Sequence, residues 1–306
     1  MTNVTVTEYA GFIPEIWAAS ALGYLKKNTV MARLVNRNFE SQFQGVGDII
    51  NVPRRGTLSV NDKAANTGVT LQTPTADTIP LTLNKHKEVS FLVEDIAKAQ
   101  ANQDGIAGYI EDGIAKIAEA VDTDILALYS GFSTTPIDAT GGPSDLAGVG
   151  VRSATVIEAN RLLNVAKAPT SPRYIVWHPS AEAEILDKEK FTSSDFGDPG
   201  TAVRDAVVGR KFGFTHLMSQ NVPTTGGECK NLAFHPDAIM MAFRPLPPPP
   251  EGTGARAVTM SEDGFGVRIL YGYNMQYLGL QVTIDVLYGV AEMRDAFGIV
   301  IRSTDY

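Results

Sequence analysis

The residues that could carry chemistry are few, and they are scattered along the chain. Its four histidines are His86, His178, His216 and His235. No two of them have the i, i+4 spacing of a helical metal site, and the zinc-protease motif H-E-x-x-H does not occur. His178 and His235 each precede a proline at the end of a predicted strand, which indicates that they cap turns. The histidine pattern therefore predicts no metal centre.

The remaining candidates for a nucleophile or a phosphate site are also weak. Cys229 is the only cysteine, which excludes an intramolecular disulfide and a cysteine-rich zinc site. It stands beside a Gly-Gly tip, where a lone thiol is expected to be inert even with Lys230 next to it. Gly148-Val149-Gly150 precedes a predicted helix, but no strand leads into it and a third glycine is missing. Because neither G-x-x-x-x-G-K-[ST] nor G-x-S-x-G occurs, we expect no catalytic site, no cofactor and no enzyme activity.

Composition narrows the class of protein further. The chain has 306 residues, of which 44% are hydrophobic, and a formal net charge of −8 with no run of lysine or arginine. A protein that holds nucleic acid through its phosphates should show a basic stripe, and this one does not. No run of 18 apolar residues exists, and the N-terminus lacks the pattern of a signal peptide. The sequence predicts a folded protein of the cytosol without a membrane span.

The strongest structural signal is a long amphipathic segment from about Asn102 to Tyr129. Its apolar residues recur every three or four positions, at Ile106, Ile110, Ile114, Ile117, Val121, Ile125 and Leu128. The opposite face is mostly acidic, with Glu111, Asp112, Lys116, Glu119, Asp122 and Asp124. About 28 residues at ~1.5 Å each give a helix of roughly 40 Å. Because Gly108 and Gly113 both lower its intrinsic helix propensity, we expect packing on a sheet to hold it.

The other patterns place strands on both sides of this helix. Residues 1–44 read as an arm with an amphipathic helix, and residues 45–93 as a strand-rich hairpin with a polar tip near Asn61 to Gly68. Residues 94–152 contain the long helix and a Gly/Pro/Ser/Thr-rich loop. Residues 153–257 alternate helix and strand, including a predicted short helix at HPDAIMMAF, and residues 258–306 return to alternating strands. This order predicts an α+β fold with two lobes.

Four stretches in this order resemble the major capsid protein of tailed bacteriophages, and specifically the coat proteins of short-tailed phages. They are FIPEIWAASALGYLKKNTVMARLVNRNFE followed by GVGDIINVP, then VVGRKFGFTHLMSQNVP, AFHPDAIMMAFRPL and LQVTIDVLYGVAEMRDAFGIVI. The resemblance covers essentially the whole chain. It implies the fold shared with the herpesvirus capsid floor and with encapsulin shells. That fold has an N-terminal arm, an extended hairpin loop, a peripheral domain with a long spine helix, and an axial domain.

The resemblance also implies a function and a set of partners. A relative of this kind forms pentamers and hexamers of an icosahedral head, enclosing double-stranded DNA without sequence-specific binding, as part of the virion capsid assembled in the host cytoplasm. Expected partners are further copies of the chain, a separate scaffolding protein, a portal protein and a decoration protein. Some relatives cross-link a loop lysine to an asparagine, and Lys63 lies near that place. The alternatives are an encapsulin-like compartment shell and an unrecognised α+β enzyme.

Charge suggests how neighbouring copies would meet. The hairpin segment from Arg54 to Lys63 has three bases and one acid, whereas residues 102–129 have six acids and one base. We hypothesise that the hairpin of one subunit lies over the spine helix of the next. The predicted contact residues are Arg54, Arg55, Lys63, Glu111, Asp112, Glu119 and Asp122.

Overall fold

The computed structural model describes residues 30–40, 49–55, 58–73, 76–95, 105–139, 151–188, 191, 208–250, 255–262 and 265–305. The strands in these ranges are β1 (Ile49–Arg55), β2 (Ala76–Thr82), β3 (Lys85–Glu94), β4 (Ile137–Asp138), β5 (Tyr174–Trp177), β6 (Arg210–Lys211), β7 (Phe214–Met218), β8 (Thr224–Thr225), β9 (Glu228–Phe234), β10 (Ile239–Arg244), β11 (Ala255–Glu262), β12 (Phe265–Asn274), β13 (Gly279–Glu292) and β14 (Gly298–Thr304). The helices are α1 (Gly105–Leu126), α2 (Ser153–Val165) and α3 (Pro179–Leu186). Short 3-10 turns occupy Met31–Arg33, Ala127–Gly131, Pro236–Ala238 and Asp295–Phe297.

Helix α1 is the predicted spine helix, and it packs on a five-stranded antiparallel sheet. In that sheet the strand order is β10, β13, β12, β11. The fifth strand, β3, also pairs with β13 and is antiparallel to it. The apolar stripe is buried as predicted, with Ile110, Ile114, Ile117, Val121 and Ile125 all at most 2% exposed. Gly113 lies where a Cβ would sit 3.2 Å from Val89 Cγ1 and 3.4 Å from Ile284 Cδ1, so this glycine lets the helix approach the sheet closely.

The second lobe is built on a seven-stranded mixed sheet. Its order is β4, β14, β9, β5, β7 and β6, with β8 added beside β9. β5 and β7 are parallel, whereas β9 is antiparallel to both β5 and β14. Helix α2 packs Val156, Ala159 and Leu163 into the core, and α3 packs Ala181 and Ile185. The predicted alternation of helix and strand in this region is confirmed.

The strand pairing assigns some segments to other sheets than the predicted segment bounds imply. The hairpin consists of β1 and β2 and ends at Thr82, whereas β3 belongs to the sheet under α1. β10 joins that same sheet, although it lies in the stretch predicted as the α/β lobe, and β11 crosses the predicted boundary at residue 257. The prediction of a short helix at HPDAIMMAF was wrong. Pro236–Ala238 is only a 3-10 turn, and Ile239–Arg244 is a strand, because the six residues pair along β13.

Candidate inter-subunit surface

The hairpin carries a long exposed tip, residues 58–73, which we call the tip loop. Every residue in it is exposed. The loop is narrow where Ser59 and Gln72 meet, since the Ser59 backbone N–H donates to Gln72 Oε1 at 2.8 Å and Gln72 Nε2 donates back to the Ser59 carbonyl. A turn closes the tip, where the Thr67 hydroxyl donates to the Ala64 carbonyl at 2.7 Å. The contacts described for this loop are therefore polar and lie within the loop itself.

Four large apolar side chains of the tip loop face solvent. Leu58, Val60, Val69 and Leu71 are 66%, 97%, 68% and 90% exposed. They flank the polar tip of residues 61–68 and alternate with polar residues on both limbs, and this alternation is the sequence pattern from which they could have been predicted. Exposed apolar residues grouped in this way make the tip loop a candidate interaction surface.

The base of the hairpin is fixed to the rest of the chain. Val52 and Leu81 are buried with Leu83 against Met240 and Ala242 of β10. At Gly289 in β13, a Cβ would sit 2.2 Å from the Thr82 carbonyl oxygen, so the end of β2 touches the sheet backbone. This anchor sets the direction in which the hairpin leaves the subunit.

The predicted basic residues lie on the hairpin as expected. Arg54 is exposed and sits opposite Asp77 in the β1–β2 register, and Lys63 is exposed in the tip loop. Arg55 is the last residue of β1, and its side chain lies outside the described part. Arg54 and Lys63 therefore lie on the same projecting hairpin.

Three of the four predicted acids lie on the outward face of α1. Asp112 and Glu119 are exposed, and Glu111 is half-buried. Glu119 already pairs with Lys116, whose Nζ lies 2.9 Å from Glu119 Oε2. Such an exposed pair contributes little and leaves the carboxylate available to a second cation.

Asp122 corrects the prediction, because it is fully buried and no partner subunit can reach it. Its Oδ2 accepts the backbone N–H of Val30 at 3.0 Å, where the 3-10 turn of Met31–Arg33 begins. Burial raises the pKa of Asp122 to about 7, against the opposing effect of the backbone N–H groups of Val30, Met31 and Ala32. The residue joins the spine helix to the segment that precedes the hairpin.

Asp122 predicts a specific dependence of stability on pH. Since its pKa is higher in the folded chain than in the unfolded one, its contribution is fully present below pH ~4 and is lost as the pH rises towards 7. A shift of about three pKa units corresponds to a loss on the order of 4 kcal/mol. Asp122→Asn keeps the acceptor oxygen and removes the titration, so the variant should lose less stability than the parent between pH 5 and pH 8. Urea unfolding at both pH values measures this, and equal losses in the two proteins would contradict it.

Asp124 is a second acid that the helical pattern wrongly placed on the solvated face. It accepts a hydrogen bond from the Tyr288 hydroxyl at 2.5 Å and lies 3.1 Å from Lys85 Nζ and 3.4 Å from Lys87 Nζ. Burial alone would raise the pKa of Asp124, but the Tyr288 hydrogen bond and the two lysines hold it below its usual value. The carboxylate thus fixes α1 to β3 and β13.

The histidines have structural roles in the described residues. His178 Nδ1 accepts the backbone N–H of Ser180, and His235 Nδ1 accepts that of Asp237, so both cap the next turn as predicted. His216 is buried, and its Nδ1 accepts the indole N–H of Trp177 at 2.9 Å. Burial lowers the pKa of His216 to about 4, which keeps the ring neutral.

None of the described helices is both long and apolar enough to cross a lipid bilayer.

Comparison with known proteins identifies the class to which this fold belongs. A family described as "Phage capsid protein" matches residues 39–245. Among solved structures, one from Mycobacterium phage Che8 is 20% identical in sequence and superposes with a TM-score of 0.66. The aligned region covers 89% of this chain and 90% of the phage Che8 chain. The capsid of cyanophage P-SCSP1u is 15% identical, covers 85% of each chain, and gives a TM-score of 0.62. A search of curated proteins found no match.

The fold is therefore that of the major capsid proteins of tailed bacteriophages. Since the family match extends over more than half of its length, the chain belongs to the phage capsid protein family. It is a structural protein that builds a homo-oligomeric shell, and its location is the virion capsid. The resemblance seen in the sequence is confirmed at this level.

Proposed function

We propose that the chain forms the pentamers and hexamers of an icosahedral head that encloses double-stranded DNA. In this arrangement the five-stranded sheet with α1 is the peripheral domain, and the seven-stranded sheet is the axial domain at the centre of each ring. The tip loop reaches over a neighbouring subunit. The observation that carries the proposal is this loop, because it is fully exposed and displays four large apolar side chains.

The free energy of burying apolar side chains favours a tip loop that is covered by another molecule. Burying a Val or Leu side chain contributes roughly 1.5–3 kcal/mol, so covering Leu58, Val60, Val69 and Leu71 would offset much of the entropy lost when a loop becomes rigid. None of the residues that the structure describes buries these four side chains. A second copy provides a surface that is always present in a homo-oligomer, and the acids Asp112 and Glu119 on α1 would complement Arg54 and Lys63.

The acidic composition suits a container for DNA. At a net charge of −8 the subunit does not attract phosphates in general, so the inner surface would enclose DNA without holding a particular sequence. We extend the proposal to a separate scaffolding protein, a portal protein, a decoration protein and assembly in the host cytoplasm. The similarity to tailed-phage coat proteins supports these partners. Lys63, exposed on the tip loop, is the lysine we would test for a covalent link to a neighbour.

Hydrogen exchange tests the inter-subunit role of the tip loop directly. Backbone amides of residues 58–73 make no strand ladder in the subunit, so they should exchange quickly in free subunits and at least tenfold more slowly in assembled particles. β13, which is paired on both edges, serves as the internal control and should change little. Equal exchange of residues 58–73 in both states would contradict the proposal.

The contents of purified particles separate the capsid from an encapsulin-like compartment. Particles made during phage infection should contain double-stranded DNA, which electron microscopy and nuclease-protected nucleic acid reveal. Particles that hold a cargo protein and no DNA would favour the compartment shell instead, and the tip-loop result would stand in either case.

A further inference from the structure

The seven-stranded sheet brings together three possible metal ligands that are far apart in the sequence. His178 follows β5 and begins α3, Cys229 lies near the start of β9, and Asp305 follows β14. The three ligand atoms, one from each side chain, all lie within 4.8 Å of one another. Cys229 is completely buried, His178 is mostly buried, and the Asp305 side chain is 38% exposed. A thiol, an imidazole and a carboxylate thus lie close together, and the carboxylate is the one that solvent reaches.

The distance between the imidazole and the carboxylate is close to that of a tetrahedral site. Zinc bonds of about 2.0–2.3 Å at tetrahedral angles place neighbouring ligand atoms about 3.3–3.6 Å apart. His178 Nδ1 and Asp305 Oδ1 are 3.8 Å apart without an ion. The cap bond from Ser180 N–H, at 3.3 Å, uses the single lone pair on Nδ1. The fold therefore selects the tautomer that a metal needs, and an ion bound at Nδ1 would take the place of this cap bond.

Hydrogen bonds hold the backbone near these three residues in place. The Asp305 N–H donates to the Gly227 carbonyl at 3.0 Å, which fixes the chain after β14 beside the β8–β9 turn. Asn231 Oδ1 accepts the His178 N–H at 2.7 Å, and its Nδ2 donates to the Ser303 hydroxyl at 2.8 Å. Strands β5, β9 and β14 are thus tied together next to the three side chains, which holds the possible ligands close to one another.

Carboxylates near the thiol also favour a cation. The Asp305 carboxylate lies within 4.8 Å of the Cys229 sulfur, and Glu184 acts on the same thiol electrostatically. Glu184 Oε2 accepts the Val151 N–H, whereas its Oε1 is buried without a hydrogen-bond partner among the described residues. A divalent cation would offset the negative charge that these carboxylates concentrate near the sulfur.

We propose that His178, Cys229 and Asp305 bind one zinc-class divalent cation, with water in the fourth position. Binding forms a metal–sulfur bond while the Cys229 S–H proton leaves to solvent, so one proton is released from the thiol for each ion bound. The mixed sulfur, nitrogen and oxygen ligands select Zn²⁺ or Co²⁺ over Mg²⁺. The ion would fasten the end of β14 to α3 and β9 and so stabilise this lobe of the shell subunit. This expectation replaces the sequence-based prediction of a metal-free chain.

The test uses the full chain, treated with a chelator and then titrated with Co²⁺, Zn²⁺ or Mg²⁺. Co²⁺ should give a thiolate-to-metal absorption band at one ion per chain, Zn²⁺ should displace it and raise the melting temperature by several degrees, and Mg²⁺ should do neither. Cys229→Ser and Asp305→Asn should each remove the band and the shift. Asp305→Asn is nearly isosteric and partly exposed, so it decides the outcome if Cys229→Ser does not fold.

Asp237→Asn is the matched control. His235 and Asp237 form a similar strand-end pair, with Nδ1 and Oδ2 3.6 Å apart, but they are not part of a three-ligand group in the described residues. This variant should bind Co²⁺ as the parent does. A parent chain without the band, or a band that persists in both Cys229→Ser and Asp305→Asn, would overturn the proposal.

Discussion

Reversing the charge of Arg54 and Arg55 together should reduce the yield of particles at least tenfold while the subunit remains folded. Arg54 is exposed at the end of the hairpin strand and contributes nothing to a core. Each exposed ion pair is worth only about 0.2–1 kcal/mol, but a shell repeats the contact at every subunit, and glutamate would add repulsion from the acids on α1. The fraction of protein in particles, measured by sedimentation, gives the effect, and circular dichroism verifies folding.

A control with the same change in charge distinguishes this contact from general repulsion. Arg161→Glu with Arg210→Glu alters two exposed arginines of the other lobe. We expect its particle yield to stay closer to that of the parent. Parent assembly should also weaken as salt is raised, because screening shortens the attraction. A normal yield from the Arg54 and Arg55 variant, or an unfolded subunit, would show that the hairpin does not act in this way.

Asp285→Ala should destabilise the subunit by about 3–5 kcal/mol, the usual cost of removing one partner of a buried ion pair. Asp285 is 3% exposed on β13, in the middle of the five-stranded sheet. Its Oδ1 accepts from Arg268 Nε of β12 at 3.0 Å, a second Arg268 nitrogen contacts Oδ2, and His86 Nε2 of β3 lies 3.0 Å from Oδ2. One carboxylate therefore joins three adjacent strands, and its loss leaves a largely buried guanidinium without its counter-ion.

Urea unfolding followed by circular dichroism measures this loss. Glu158→Ala removes an exposed pair with Arg161 on α2 and should cost no more than about 1 kcal/mol, which makes it the control for deleting a carboxylate. Asp285→Asn retains an acceptor for Arg268 and should fall between the two. If Asp285→Ala and Glu158→Ala lose the same stability, the carboxylate does not hold the sheet together.

The sequence by itself determined the elements whose signal is local. The three-and-four spacing from Ile110 to Ile125 defines a helix with one buried face, because burial of that stripe outweighs the helix-weakening effect of Gly113. The alternation in β13 and β14 likewise defines strands. His178 and His235 were predicted as turn caps because each precedes a proline at the end of a strand, and both accept the next free N–H. The order of these segments was enough to indicate the capsid fold.

Tertiary structure alone decided the roles of residues whose partners are distant in the chain. Asp122 and Asp124 are only two positions apart on one helix, yet the first is buried against Val30 and the second pairs with Lys85, Lys87 and Tyr288. Helical periodicity separates an apolar face from a polar one, but it cannot show which polar residues another segment covers. The same limit hid the grouping of His178, Cys229 and Asp305, since it arises only where β5, β9 and β14 come side by side.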